Sequence, residues 1–452
     1  MEDEKKFLAA VVGAGPAGLF AARELATHGV EVALINRDIK PGGLAEYGIF
    51  PDKLKMKEGL RAQFRQILQL PQVHYYGNVI VGRKGDLNLE DFWELGFQSV
   101  LITVGAQGTK WLGLPGERQT GVYHAKDLVY HYNSLPPYSE QEFKIGKRVA
   151  VVGIGNVMVD ITHYLIAYHQ VDEVIAFARR GPGEIKFEKK EFADVAANLD
   201  LEHFDREIEA AAEQMRALGQ NPEEPKNMVY SVVQKAEPRK GDTRFIIRFM
   251  VSPVRILGEN GQVTGLEVEK NELYLQDGHV RARGTGQREV LDVDTVIFAI
   301  GDSVDEHVGL PTRGTEFVKN RNPRFPVEGI SYEVYDEAAG KPVEGVFVAG
   351  WARKASTGLV GVARRDGING AKAVLQYLNT LQPLDEASQG LKRLEDLLRS
   401  REKVFITLDD LLCLEEMEKQ RAEELGLAWY KFATNRDMLQ AMGYTSLPES
   451  RN

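Results

Sequence analysis

The sequence predicts an α/β chain organised around two doubly wound parallel sheets, and three observations carry that expectation. A strand, a glycine turn and a helix follow one another in LAAVVGAGPAGLFAARELATHG at residues 8–29. The same order returns in RVAVVGIGNVMVD at residues 148–160. Between and after them, the short apolar runs VEVALIN, SVLITVGA, EVIAFARRG, TVIFAIGD and GVFVAG alternate with helical patterns, which is the spacing of βαβ units. Both domains are expected to be Rossmann-like and to bind dinucleotides.

The pattern restarts at IGKRVAVVG, just after the Pro- and Tyr-bearing segment NSLPPYSEQEF. That restart is a candidate domain entry, and the expected division is a first domain at 1–106, a second at 107–301, and a return of the chain to the first domain at 302–452. The stretch TRFIIRFMVSPVRILGENGQVTGLEVEKNELYLQDGHVRARG, residues 243–284, carries the turn signals ENGQ and QDGH. It reads as antiparallel strands joined by hairpins, placed beside the second parallel sheet. Beyond residue 380, RLEDLLRSREK and LLCLEEMEKQRAEELG are amphipathic and helical, and are expected to cap the outside of the fold.

Composition narrows the function. The 452-residue chain is 43% hydrophobic and 27% charged, ordinary values for a globular protein, with a formal net charge of −10. That balance argues against nucleic acid and anionic membranes as general partners. No apolar run approaches the ~20 residues of a membrane span. The acidic start MEDEKKF does not resemble a signal peptide, so the expected location is cytoplasmic. The single cysteine, Cys413, excludes an internal disulfide, a CxxC redox centre and a four-cysteine iron–sulfur cluster. No metal is assigned. Redox chemistry, if present, must sit on a bound cofactor.

Gly13, Gly15 and Gly18 form a complete GxGxxG after a strand and at the start of a helix. They supply the tight turn, the close approach to a pyrophosphate and the helix–strand contact. A second glycine pair follows in PGGLAEYGI at 41–49, where the ribityl and ring of a flavin pass close to backbone. The expected cofactor of this loop is FAD. The acid that normally ends the second strand is replaced by Asn36, followed by Arg37 and Asp38. Either the Asn36 amide or Asp38 is positioned to bond the ribose.

In the second loop Gly153 and Gly155 keep the turn and the approach, while Met158 stands at the third glycine position, so helix and strand must sit slightly further apart. Asn156 is expected to bond loop backbone and fix the shape of the cradle. Asp160 falls within the helix and reads as structural. The next strand ends in FARRG, and Arg179 and Arg180 offer planar guanidinium forks suited to a ribose 2′-phosphate. This loop is expected to take NADP(H).

At this point the chain resembles the adrenodoxin-reductase type of ferredoxin–NADP reductase, a two-dinucleotide flavoprotein also similar to the small subunit of glutamate synthase. The resemblance runs nearly end to end. It includes YGIFPDKLKMK, HYYGNVIVG, GLPGERQTGVYHAKDLVYHYN, ARRGPGEIKFEKKE, RFMVSPVRIL, VFVAGWARKASTGLVG and the tail FITLDDLLCLEE with DMLQAMGY.

The resemblance implies that Arg179 and Arg180 hold the 2′-phosphate and that Asn156 and Val157 lie at the pyrophosphate. It places Glu191 near the nicotinamide. Trp351 and the backbone of Gly358, Leu359 and Val360 would close over the flavin ring, with the helix after Thr357 aimed at its carbonyl edge. Ala17, Gly43, Leu44, Tyr47, Val79, Gly105 and Gly350 complete the implied flavin-nucleotide contacts. Lys53 stands where the family motif has a histidine; it and Glu191 are the two candidate catalytic side chains.

The implied activity is hydride transfer between NADP(H) and FAD with single electrons passed to or from a ferredoxin-like iron–sulfur protein. The alternative is an NADPH-dependent electron-entry subunit of a larger complex with another acceptor.

Overall fold

The computed structural model describes residues 6–239, 241–355 and 358–444. The chain divides into two compact units: one holds residues up to 109, 132–140 and from 301 onward, the other 110–131 and 141–300. In chain order the first unit supplies strands β1 (Leu8–Val12), β2 (Glu31–Ile35), β3 (Val73–Tyr76) and β4 (Ser99–Ile102). The second supplies β5 (Val122–His124), β6 (Arg148–Val152), β7 (Glu173–Ala178), β8 (Arg244–Phe249), β9 (Val251–Glu259), β10 (Gln262–Gln276), β11 (His279–Leu291) and β12 (Thr295–Phe298). The chain then returns with β13 (Glu333–Asp336) and β14 (Lys341–Val348).

The first unit is a six-stranded sheet of order β13-β14-β4-β1-β2-β3. Its strands are parallel except for the β13–β14 pair. All five residues of β1 are buried, as expected of a parallel strand covered on both faces. One face packs on α1 (Pro16–Ala26) through Leu19, Ala22 and Leu25. Helix α2 (Leu54–Leu68) adds Phe64 and Leu68 to that core.

The second unit has a five-stranded, wholly parallel sheet of order β5-β12-β6-β7-β8, with α3 (Asn156–Tyr164) following β6. Beside it, β9-β10-β11 form a three-stranded antiparallel sheet. Its two hairpins turn on Asn260-Gly261 and Asp277-Gly278, all four residues at positive φ, the geometry that Asn-Gly and Asp-Gly favour.

One sequence expectation is corrected here. RFIIRF does not belong to the antiparallel hairpins; it is the edge strand β8, paired in parallel with β7 from Glu173↔Arg244 to Ala178↔Phe249. Phe245, Ile246, Ile247 and Phe249 are all buried. Such a run, apolar on both faces, fits a covered parallel sheet, and Met250 at φ +56 then turns the chain into β9.

From Val360 onward the chain is helical: α4 (Val360–Leu378), α5 (Ala387–Ser400) and α6 (Leu408–Leu425). These helices do more than cap the exterior. Leu391, Leu394 and Leu398 of α5 enter the core on the second face of the first sheet, and Leu411 of α6 reaches the core on the first. Thr407 starts α6 with a capping box, accepting from the Asp410 amide while the Asp410 carboxylate accepts from the Thr407 amide. Among the described residues, no helix is long and apolar enough to cross a membrane.

Candidate functional site

The first candidate site forms where β1 runs into α1. Gly13 takes φ +107, and a Cβ there would lie 2.6 Å from the Thr103 carbonyl oxygen, so a side chain is excluded. A Cβ on Gly18 would meet the Gly13 carbonyl oxygen at 1.8 Å, which shows how closely helix and turn approach. Gly15 differs. Its backbone is extended, and among the described residues its absent Cβ would face only the Gly43 Cα, 4.0 Å away. Space beside a helix N-terminus that the protein leaves unfilled matches the needs of a pyrophosphate.

Two of the other flavin candidates lie directly against this turn and the start of α1. Gly43 sits at φ +50 with its Cβ position 3.0 Å from the Gly15 Cα, and Gly350 at φ +67 with its Cβ position 2.6 Å from the Ala17 Cβ. The Tyr47 amide donates to the Gly43 carbonyl at 2.8 Å and closes the short helix Leu44–Tyr47. Val79 donates to the Asn36 carbonyl at 2.9 Å, and Gly105 follows Thr103 at φ +75. Trp351 is half-buried in the turn Gly350–Ala352. Gly358 and Leu359 are exposed and lead into α4 at Val360, whereas Thr357 lies outside the described residues. Lys53 is the half-buried N-cap of α2.

Sequence reasoning missed Asp366. Its carboxylate accepts the Gly350 amide at 2.6 Å, the Tyr332 hydroxyl at 3.1 Å and the Arg353 guanidinium at 2.6 Å, and so fixes the Gly350–Ala352 turn from within α4.

Asn36 is placed differently from a simple ribose ligand. It is buried; its Oδ1 accepts from the Ala14 amide at 3.1 Å, and its Nδ2 donates to the carbonyls of Asp38 at 2.9 Å and Lys40 at 3.1 Å. Both amide hydrogens are therefore committed to backbone. Asn36 locks the glycine turn to the loop after β2, a task a carboxylate could not perform because it donates nothing.

Beside that loop lies a buried ionic cluster that no sequence motif announced. Glu46 accepts a bidentate Arg61 at 2.7 Å on each oxygen and is paired with Lys431 at 2.5 Å. Lys40 is paired with Glu418, Lys57 donates to Asn133 Oδ1, and the Lys431 ammonium lies 4.6 Å from the Tyr47 ring centre. Three buried lysines and the partly exposed Arg61 thus gather round two buried carboxylates. Burial opposes ionisation of Glu46, yet Lys431 and Arg61 hold its carboxyl well below the usual range. Burial, reinforced by the charge on Lys431, pushes the Lys57 ammonium down to about 7. Lys431 is pushed down to about 8 by burial, against the pull of Glu46.

The second candidate site, in the other unit, forms where β6 runs into α3. Gly153 takes φ +132 with its Cβ position 2.2 Å from the Ala299 carbonyl oxygen, so it serves the turn. Around Gly155, among the described residues, nothing lies within 4 Å of the Cβ position. Met158 at the third glycine position is fully buried. Asn156 Oδ1 accepts the Glu188 amide at 2.8 Å, which folds the 182–188 segment back on the loop and sets the short helix carrying the half-buried Glu191. Val157 stays 41% exposed at the start of α3. Past β7, Arg179 is exposed and Arg180 is partly buried.

Comparison with known proteins agrees with this geometry. Residues 8–217 match the family model described as pyridine nucleotide-disulphide oxidoreductase. The chain is 28% identical to NADPH-ferredoxin reductase FprA of Mycobacterium leprae, across 95% of this chain and 97% of that protein. It is 26% identical to the mitochondrial NADPH:adrenodoxin oxidoreductase of Salvelinus fontinalis, across 95% and 90%. Its fold matches the structure of Mycobacterium tuberculosis FprA in complex with NADPH with a TM-score of 0.79, over 97% of this chain and 100% of the other, at 23% identity. Fold class and resemblance therefore stand as the sequence implied.

Proposed function

We propose that this protein is an NADPH-dependent FAD oxidoreductase that exchanges single electrons with a ferredoxin-like iron–sulfur protein. The observation that carries this reading is the pair of helix-capped glycine turns, one in each unit, whose second glycines, Gly15 and Gly155, border space the protein leaves open. Similarity along nearly the whole chain to an NADPH-ferredoxin reductase, at 28% identity, supplies the acceptor class.

The residues fit the two cofactors. The N-terminal amides of α1 would bind the FAD pyrophosphate, with Gly43 and Gly350 allowing backbone to approach. Because the Asn36 amide is committed, we assign the ribose hydroxyl to the Asp38 carboxylate. The α3 N-terminus would bind the NADPH pyrophosphate on a cradle shaped by Asn156, with the Arg179–Arg180 corner at the 2′-phosphate. Bound FAD supplies the chemistry that the side chains lack: it takes electrons as a pair from NADPH and yields them singly. The protein's part is to orient each nucleotide and to keep water from the flavin with Trp351 and the 358–360 backbone; we assign Lys53 to the flavin and Glu191 to the nicotinamide. The site of action we assign to the cytoplasm, where the exposed Cys413 stays reduced.

The purified protein is expected to carry noncovalent FAD, bleached anaerobically by NADPH far faster than by NADH. Release of FMN on acid treatment, or equal rates with the two nucleotides, would refute the assignment.

A further inference from the structure

The two arginines of the ARRGPGE segment are not equivalent. Their backbone is pinned: Asn271 Nδ2 donates to the Arg179 carbonyl at 2.8 Å, and the Met250 amide donates to the Arg180 carbonyl at 3.1 Å. Their side chains part from there. Arg179 is exposed and makes no ion pair among the described residues. Arg180 Nη1 lies 2.9 Å from Glu184 Oε2, four residues along the chain, with both side chains 24% exposed. Glu184 is itself held, since Gln220 Nε2 donates to its other oxygen at 3.1 Å. Gln220 in turn packs on Gly183, where a Cβ would come within 2.8 Å of its Oε1.

We propose that Glu184, braced by Gln220, restrains Arg180, so that Arg179 is the principal ligand of the 2′-phosphate and Glu184 sets how strongly the site prefers NADPH to NADH. The restraint is electrostatic. A dianionic phosphate at this corner must either draw Arg180 off Glu184 or accept the carboxylate as a neighbour, and like charges held close weaken binding. NADH brings no such charge and is indifferent to Glu184. The carboxylate is thus a specificity-determining group that lowers discrimination below what two free arginines would give. Glu184 touches no reacting atom; it acts through Arg180.

This inference rests on the NADP(H) reading of the second loop, and the test separates the two. The FAD-loaded full chain is titrated calorimetrically with 2′,5′-ADP and with 5′-ADP, which lacks the 2′-phosphate. If the wild type does not prefer 2′,5′-ADP, the NADP(H) reading itself fails.

If the preference is present, Glu184→Gln should tighten 2′,5′-ADP binding by roughly tenfold, the worth of one charge-assisted contact, and leave 5′-ADP unchanged. Arg179→Ala should weaken 2′,5′-ADP by roughly 10- to 100-fold, and Arg180→Ala by only about a third as much on a logarithmic scale. Equal losses for the two arginine variants, or a Glu184→Gln affinity at or below that of wild type, would overturn the proposal.

Discussion

Gly155→Val should leave the protein folded and loaded with flavin while weakening NADPH binding by roughly 100-fold or more. The backbone at Gly155 is extended, φ −107 and ψ −174, a conformation that valine adopts without strain. No atom of the described protein lies within 4 Å of the new Cβ, so packing has no reason to change. The branched side chain instead fills the space over the α3 N-terminus where a pyrophosphate must approach backbone. Forcing a well-fitted group past such an obstruction costs about 3 kcal/mol, or roughly 100-fold in affinity. The check is a melting curve, a flavin spectrum and an NADP+ titration on one preparation. Unchanged nucleotide affinity would remove the pyrophosphate from this turn.

The second large effect concerns the buried cluster. Lys57 is 4% exposed and loses its proton near pH 7 in the folded chain, against an ordinary value of 10.5. Between those two values the unfolded chain binds more protons than the folded one, so stability rises with pH across that window. Below about pH 7 the cost of the buried charge is fully present. In Lys57→Met this contribution is absent, and the comparison reads the Lys57 titration together with its coupling to Lys431. The stability of wild type relative to Lys57→Met should therefore increase by on the order of 3 kcal/mol from pH 7 to pH 10. Urea unfolding of both proteins at the two pH values measures it. A difference independent of pH would mean that Lys57 stays charged throughout and that Asn133, Glu46 and water compensate its burial.

These two cases mark what the sequence made legible. Gly13 and Gly153 were readable because a tight turn before a helix excludes side chains, and Gly15 and Gly155 because a pyrophosphate's approach to backbone sets their spacing from that turn. The Asn-Gly and Asp-Gly hairpins were readable because these pairs favour positive φ. RFIIRF was misplaced because a covered parallel strand and the start of a hairpin share an apolar run, and pairing to β7 depends on residues some 70 positions away.

The ionic cluster was invisible because its partners are remote, Lys40 from Glu418 by 378 positions and Lys431 from Glu46 by 385. Asn36 was read as a substitute for an acid, but its value lies in donating two hydrogen bonds inward. The Arg180–Glu184 pair was also hidden: Gly181 is extended and only Pro182–Glu184 form a short 3-10 turn, so the four-residue spacing is not that of an α-helix face.

The central claim is that electrons enter as a pair from NADPH and leave singly to an iron–sulfur protein. The most direct measurement mixes the NADPH-reduced protein anaerobically with ferredoxins from the same source and follows the flavin and iron–sulfur absorbances together. The account predicts saturable ferredoxin reduction, two equivalents per NADPH, at a rate that falls as salt rises to ~0.15 M, where screening shortens charge attraction to about 8 Å. Failure to reduce any ferredoxin, alongside fast salt-independent turnover with a quinone or a small metabolite, would contradict it.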